Sequence, residues 1–214
     1  MKVAIIGGHG KIALRLTARL KERGDAIRSI IRKADESDDV GAVGGEPILC
    51  DIETSSAEEL AVAVNKVDAV VFAAGAGPGS GPERKETVDY GGAVKLIEAA
   101  RINDINRYVM ISLIGADPNP SGDDTFALYL GAKGRADEAL MKSGLAFTIV
   151  RPTSLTDDSG DGRVHIADHV ERGKIPRDDV AAVVAEVLHL TSTSGKLFEL
   201  TDGNEPIEEA LRRL

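Results

Sequence analysis

Short apolar, β-branched runs alternate along this chain with longer stretches in which apolar residues recur at helical spacing. Residues 3–6, 26–31, 47–51, 69–73, 107–112, 146–151 and 196–200 read as strands. Between them Ile12, Leu16 and Leu20 recur at i, i+4, i+8, the stripe by which a helix buries one face. Leu60 and Val64 repeat the spacing, as do Ala93, Ile97 and Ala100. Tyr129, Ala132, Ala136 and Leu140 make a further stripe that stops near Gly144, a residue suited to close a helix. Arg177, Asp178 and Asp179 precede the apolar residues 180–190, with acids where a helix N-terminus favours them. Strand and helix in alternation predict βαβ units: an α/β fold with a doubly wound parallel sheet, in one domain over residues 1–214. No repeat of fixed period and no Pro/Gly/Ser-rich linker divides the chain.

Glycine and proline cluster at residues 75–82 and 115–122, and a polar stretch covers 153–162. All three follow candidate strands, the fourth, fifth and sixth. In an open α/β sheet, ligands bind in the crevice beyond the carboxyl ends of the strands. Too little chain follows Arg151 for an added substrate domain, so a small substrate pocket built from these loops is expected.

Composition narrows the partners. With 214 residues and 43% hydrophobic content the chain can form a core without staples. Cys50 is the one cysteine, so no intrachain disulfide can form, and a cytoplasmic location is the expectation. Lys and Arg number 26 against 35 Asp and Glu, and the net charge of −9 repels a phosphate backbone. Aromatics are 3% with no tryptophan, which removes the stacking platforms of single-strand binders. No stretch approaches the roughly 18 apolar residues of a membrane span, and the first apolar run is too short for a signal peptide. The expected partner is a small-molecule substrate, not nucleic acid or a membrane.

The first predicted strand leads at once into Gly7-Gly8-His9-Gly10-Lys11-Ile12-Ala13 and then a helix. Gly7 suits a tight turn, Gly10 the close approach of a pyrophosphate, and Ala13 close helix-to-strand contact. The helix start at Lys11 and Ile12 offers unpaired N–H groups and partial positive charge to phosphates. His9, inside the loop, reads as a bystander to backbone-mediated binding. At the end of the second strand stand Arg32 and Lys33, where NAD-binding units usually carry an acid. Two cations suit a 2′-phosphate, so NADP(H) is favoured, with NAD(H) the alternative. Asp51, followed by Ile52, is placed either to meet the adenine or to cap a helix beginning near Ser55.

These residues, with Cys50-Asp51-Ile52, the turn Ala73-Ala74-Gly75-Ala76-Gly77 and the segment from Tyr129, resemble the short-chain dehydrogenase/reductase superfamily. More narrowly they resemble its atypical, NmrA-like NAD(P)H-binding branch. Arg151-Pro152-Thr153-Ser154-Leu155-Thr156 and Ile175-Pro176-Arg177-Asp178-Asp179-Val180 extend the likeness over about residues 1–203. The resemblance implies a Rossmann sheet in order 3-2-1-4-5-6-7. It also implies a cofactor lined by Ala73, Ala74, Gly75, Pro152 and Ser154, with the nicotinamide near Ala74, Gly75 and Pro152.

Tyr129 and Lys133 lie four apart, on one helical face. A neighbouring ammonium favours the phenolate and is expected to lower the tyrosine pKa from its reference near 10. Tyrosine then passes a proton to or from a carbonyl/alcohol pair while nicotinamide carries the hydride. The resemblance implies that Lys133 also holds the nicotinamide ribose and that Ser112 steadies the substrate oxygen. Leu113 stands where related sequences often carry a second serine. Asp89 lies about where many relatives have a relay asparagine, and reads as a surface helical aspartate. Gly91 and Gly92 imply a close neighbour in a helix, whereas Gly131 and Gly134 permit a close helix pair. His165 and His169 sit on a predicted short strand and turn, so no metal is expected. Cys50 reads as a core residue, and the acidic residues 35–39 as a solvated loop edge. An NADP(H)-dependent oxidoreductase acting on a small carbonyl, quinone or similar acceptor is expected, with Ser112, Tyr129 and Lys133 catalytic. The alternatives are a dinucleotide-sensing protein without turnover, which would have a protein partner, and, last, a sugar-nucleotide epimerase, for which a C-terminal domain is missing.

Overall fold

The computed structural model describes residues 1–77, 79–122 and 124–214. Its strands are β1 (Lys2–Ile6), β2 (Ala26–Ile31), β3 (Glu46–Leu49), β4 (Ala69–Phe72), β5 (Arg107–Ile111), β6 (Ala146–Pro152), β7 (Ser154–Thr156), β8 (Arg163–Ala167), β9 (Lys174–Pro176), β10 (Lys196–Asp202) and β11 (Glu205–Pro206). A nine-stranded sheet runs β11-β8-β10-β6-β5-β4-β1-β2-β3. From β3 to β10 every pairing is parallel. This is the expected order 3-2-1-4-5-6-7, with β10 seventh. Two antiparallel strands, β8 on β10 and β11 on β8, extend that edge.

The helices are α1 (Lys11–Glu22), α2 (Ser37–Ala42), α3 (Ala57–Ala63), α4 (Pro82–Arg84), α5 (Gly91–Ile102), α6 (Thr125–Met141), α7 (Arg177–His189) and α8 (Ile207–Arg212); a π-helical turn, Lys85–Tyr90, joins α4 to α5. Alternate residues of β1 point to opposite faces, so Val3 and Ile5 enter one core and Ala4 and Ile6 the other. The first core takes Leu16 and Leu20 of α1 and Val183 and Val187 of α7. The second takes Leu60 of α3, Leu96 of α5 and Leu140 of α6. Burial on both faces is why β1 and β4 read as continuous apolar runs rather than alternating ones.

Four local readings change. Asp51 does not cap α3; Ser56 does, accepting from the Glu59 amide at 3.2 Å while Glu59 reaches back to the Ser56 amide at 2.9 Å. Asp51 closes its own turn, taking the Glu53 amide at 2.9 Å. Within the polar stretch 153–162, Ser154 pairs with Lys174 as β7 joins β9 in a small second sheet. The acidic residues 35–39 fold into a helical turn and the start of α2, because carboxylates at a helix N-terminus meet its free amides. Cys50 is half-buried at the edge of the core rather than within it.

The glycines on helices have identifiable neighbours. A Cβ at Gly92 would lie 2.7 Å from Ile52 Cδ1, so the side chain after β3 is the close partner. Gly134 seats the loop after β5 rather than a second helix: a Cβ there would lie 2.2 Å from the Asp117 carbonyl carbon.

Candidate functional site

β1 delivers the chain to the carboxyl edge of the sheet at Gly7, whose φ of +78° is a left-handed conformation. A Cβ at Gly7 would lie 2.8 Å from the Ala74 Cα, so the turns after β1 and β4 touch backbone to backbone. The Gly10 amide donates to the Gly7 carbonyl at 2.8 Å and closes the turn. Gly10 caps α1 without a side-chain bond, and no acid lies in the first turn. The amides of Lys11, Ile12 and Ala13 therefore have no intrahelical acceptor and sit at the positive end of the helix. Such a terminus fits a diphosphate.

A cleft of about 360 Å³ runs from this loop past Arg32 and Glu36, then Asp51 and Ile52, to the turn after β4. Gly7, His9, Gly10, Arg32, Asp51, Ile52, Ala73, Ala74 and Gly75 all line it. Lys33 is exposed outside it, Ile12 packs on the core, Pro152 is buried in β6 and Ser154 is exposed on β7. Lys11 points to an ion pair with Asp157, which also takes Arg177 at 2.9 Å. Two charged lining residues carry no site role in the sequence: Arg84, and Glu36, which lies in the acidic residues 35–39 expected at a solvated loop edge. Arg84 is held by Glu53 at 3.1 Å, and Glu36 accepts the amides of Arg32 and Lys33 at 3.2 and 3.3 Å. An acid four residues past Arg32 was the available signal for Glu36. His9 Nε2 lies 2.8 Å from Asp39 and Nδ1 3.8 Å from Glu36, so this end of the cleft sets two carboxylates beside Arg32.

Tyr129, Lys133 and Asp137 form one polar line on the inner side of α6. Lys133 Nζ lies 3.2 Å from Asp89 Oδ1 and donates to the Ala74 carbonyl at 3.3 Å. The Asp89 contact is an ion pair outside hydrogen-bond angles, leaving Oδ1 without a hydrogen-bond donor. Asp89 is fully buried, not on the surface, because the π-helical turn aims it inward, where Oδ2 accepts the Ala76 amide at 3.1 Å. Burial pulls the Lys133 pKa down, but Asp89 and Tyr129 more than restore it, and the ammonium sits above its ordinary value. Tyr129 moves opposite to the expectation. Burial raises its phenol against the downward pull of Lys133, and Asp89 adds to the rise.

Residues 7–191 of the chain match a family described as NAD(P)H-binding. The chain belongs to this NAD(P)H-binding family. It is similar to YhfK of Bacillus subtilis, an uncharacterized sugar epimerase, at 40% identity over 215 residues and 100% of both chains. A candidate NAD-dependent epimerase/dehydratase from Bacillus halodurans superposes with a TM-score of 0.93 at 34% identity, over 100% of each chain. The oxidoreductase ylbE from Lactococcus lactis does so with a TM-score of 0.86 at 27% identity, over 100% of this chain and 96% of that one. The likeness to the atypical short-chain dehydrogenase/reductase branch stands with these.

Behind the cofactor cleft, this NAD(P)H-binding protein holds a second buried network. Ser112 Oγ donates to Asp137 Oδ2 at 2.9 Å, and Arg151 reaches the same oxygen through Nε at 2.9 Å and Nη2 at 2.8 Å. Burial raises the Asp137 pKa even against the pull of Arg151. The Ser112 proton is thus directed to a carboxylate, leaving its oxygen to accept. Leu113 beside it is half-buried. His165 lies on β8 and His169 just beyond it, its side chain 92% exposed. Among the described residues no helix is long and apolar enough to cross a membrane.

Proposed function

We propose that this protein is an NADP(H)-dependent reductase of a small carbonyl, quinone or similar acceptor, with Tyr129 the proton donor. The observation that carries the reading is the geometry of α6, with the Tyr129 phenol one helical turn from an ammonium that reaches the turn after β4; burial raises the phenol pKa. A reduced nicotinamide held at the glycine turn and the turn after β4 would supply the hydride for the acceptor carbon or ring. Tyr129 then gives its proton to the acceptor oxygen, and Lys133 compensates the phenolate that remains. Arg32 at the ribose end supports NADP(H) over NAD(H). This chemistry needs a small-molecule substrate rather than nucleic acid or a membrane, and suits a cytoplasmic protein.

Two other readings rank below it. A dinucleotide sensor without turnover, passing its state to a partner protein, is favoured by Ser112, whose hydroxyl is turned to Asp137 rather than free. A sugar epimerase, as the Bacillus subtilis relative is named, must oxidise before it reduces; a phenol held protonated opposes that first half.

Calorimetric titration with NADPH and NADH tests cofactor binding, and Arg32→Ala should weaken NADPH selectively. Loss of NADPH absorbance with a panel of carbonyls and quinones tests turnover. Tyr129→Phe should lower that rate about 10²- to 10⁴-fold with cofactor affinity retained. A Tyr129→Phe protein as active as the wild type would exclude the assigned proton donor. Cofactor binding with no turnover on any acceptor would favour the sensor.

A further inference from the structure

Among the described residues, the cations drawn in from solvent beside the sheet are neutralised or saturated, and Lys85 stands apart from them. Among the described residues, Lys133 has Asp89 and Arg151 has Asp137. Arg107 has no carboxylate but donates to the carbonyls of Ala146 and Val187 and the hydroxyls of Thr148 and Thr193. Lys85 is only 8% exposed, and among the described residues its ammonium has one hydrogen-bond acceptor, the Gly77 carbonyl at 3.0 Å. Its other neighbour is an aromatic face: Nζ lies 4.7 Å from the Tyr129 ring centroid. No carboxylate of a described residue lies within ion-pair reach of it.

An ammonium carries three donors. One is used by Gly77, and a ring face satisfies a cation only in part. A buried charge without an anion is costly, so its placement calls for a reason. The reason lies in what it touches. Lys85 and Asp89 are one turn apart on the π-helical segment and face Tyr129 and Lys133, one turn apart on α6. The second rung is internally neutral. The first holds the proposed proton donor beside a cation with spare donors. π-Helical turns of this kind concentrate at functional sites.

We propose that Lys85 receives an anionic group of the substrate, a carboxylate or phosphate carried a few bonds from the carbonyl that Tyr129 protonates. The inference rests on the reductase reading of the same site. In the reaction, a hydride would leave a C–H bond of the reduced coenzyme, which is thereby oxidised, and form a C–H bond at the carbonyl carbon as the C=O π bond breaks, while the oxygen takes the Tyr129 proton, later restored from solvent. The anionic group makes and breaks no bond; it sets position. A chain of net charge −9 repels anions at long range, so a local cation is what recognition of one requires.

The test uses the full chain saturated with oxidised NADP, or NAD if that binds more tightly, so that binding is read without turnover. Calorimetry compares benzoylformate, a 2-oxo acid, with its neutral methyl ester. The wild type should bind the acid about tenfold or more tightly than the ester. Lys85→Gln keeps a donor for Gly77 and should erase that gap, whereas Lys85→Arg keeps the charge and should preserve it. Competition by benzoate or by inorganic phosphate tells the carboxylate source from the phosphate source. If the coenzyme binds but the ester binds as well as the acid, or neither binds, the proposal is overturned while the cofactor assignment stands. A gap that survives Lys85→Gln overturns it too, reducing Lys85 to a strut between Gly77 and α6. No heat with either coenzyme removes the reductase reading itself.

Discussion

Lys133 and Asp89 meet at 3.2 Å with side chains 4% and 0% exposed. One comes from α6 and the other from the π-helical turn, so the pair ties together the two segments that flank the turn after β4. Taking either charge away leaves the other buried without the counter-ion it pairs with. Asp89→Asn should therefore lower stability by about 3–5 kcal/mol, read from the urea midpoint. The double change Asp89→Leu with Lys133→Met should be less destabilising than the single one, because no charge is then stranded. A single variant as stable as the wild type would show that the pair is not electrostatically coupled.

Glu36 lines the cleft beside Arg32, where the 2′-phosphate is proposed to lie, and accepts the amides of Arg32 and Lys33. Its carboxylate is a good acceptor for a ribose hydroxyl and a poor neighbour for a 2′-phosphate. Glu36→Gln keeps an acceptor for the two amides and removes the charge. NADPH should then bind about two- to fivefold more tightly, with NADH unchanged or weaker, most clearly at low salt. Equal movement of both dissociation constants would mean that Glu36 only caps its turn.

The loop after β5 lies on Gly134 so closely that a Cβ there would meet the Asp117 carbonyl carbon at 2.2 Å and the Pro118 nitrogen at 2.3 Å. The obstacle is backbone, which cannot rotate aside. Gly134→Ala should cost about 1–3 kcal/mol despite the better helix propensity of alanine, seen as a lower melting temperature. A raised melting temperature would contradict the packing described.

Tyr129 makes the pH dependence of reduction predictable in sign. Reduction needs the phenol as an acid, and burial, outweighing Lys133, keeps its pKa above the ordinary value. The acid form thus persists through neutral pH and is lost only as pH rises past the ordinary phenol range near 10. The kcat/KM for an acceptor should be flat from about pH 6 to 9. A basic limb centred near neutrality that disappears in Tyr129→Phe would show the opposite shift.

Much of this was legible from residue order. Apolar runs without alternation marked β1, β4 and β5 because strands covered on both faces have no polar side to show. The loop at Gly7 and Gly10 could be read because a left-handed turn and a helix start impose their own residue types locally. Tyr129 and Lys133 could be paired because helical spacing places i and i+4 together. β7 and β9 were not legible, since two three-residue strands gain their hydrogen bonds only from each other.

What spacing could not provide was surroundings. That Asp89 turns inward to Lys133, that Ser112 spends its proton on Asp137, that Glu36 enters the cleft, and that Lys85 lies on Tyr129 all depend on segments far apart in the chain. The direction of the Tyr129 pKa shows the division most plainly. Its neighbour at i+4 acts locally and pulls the value down, whereas burial is set by everything packed around the ring and pulls it up harder. Local order determined which groups are present and on which face. Only tertiary packing decided how much water they keep and which charges they meet, because dielectric and distance are properties of the folded chain.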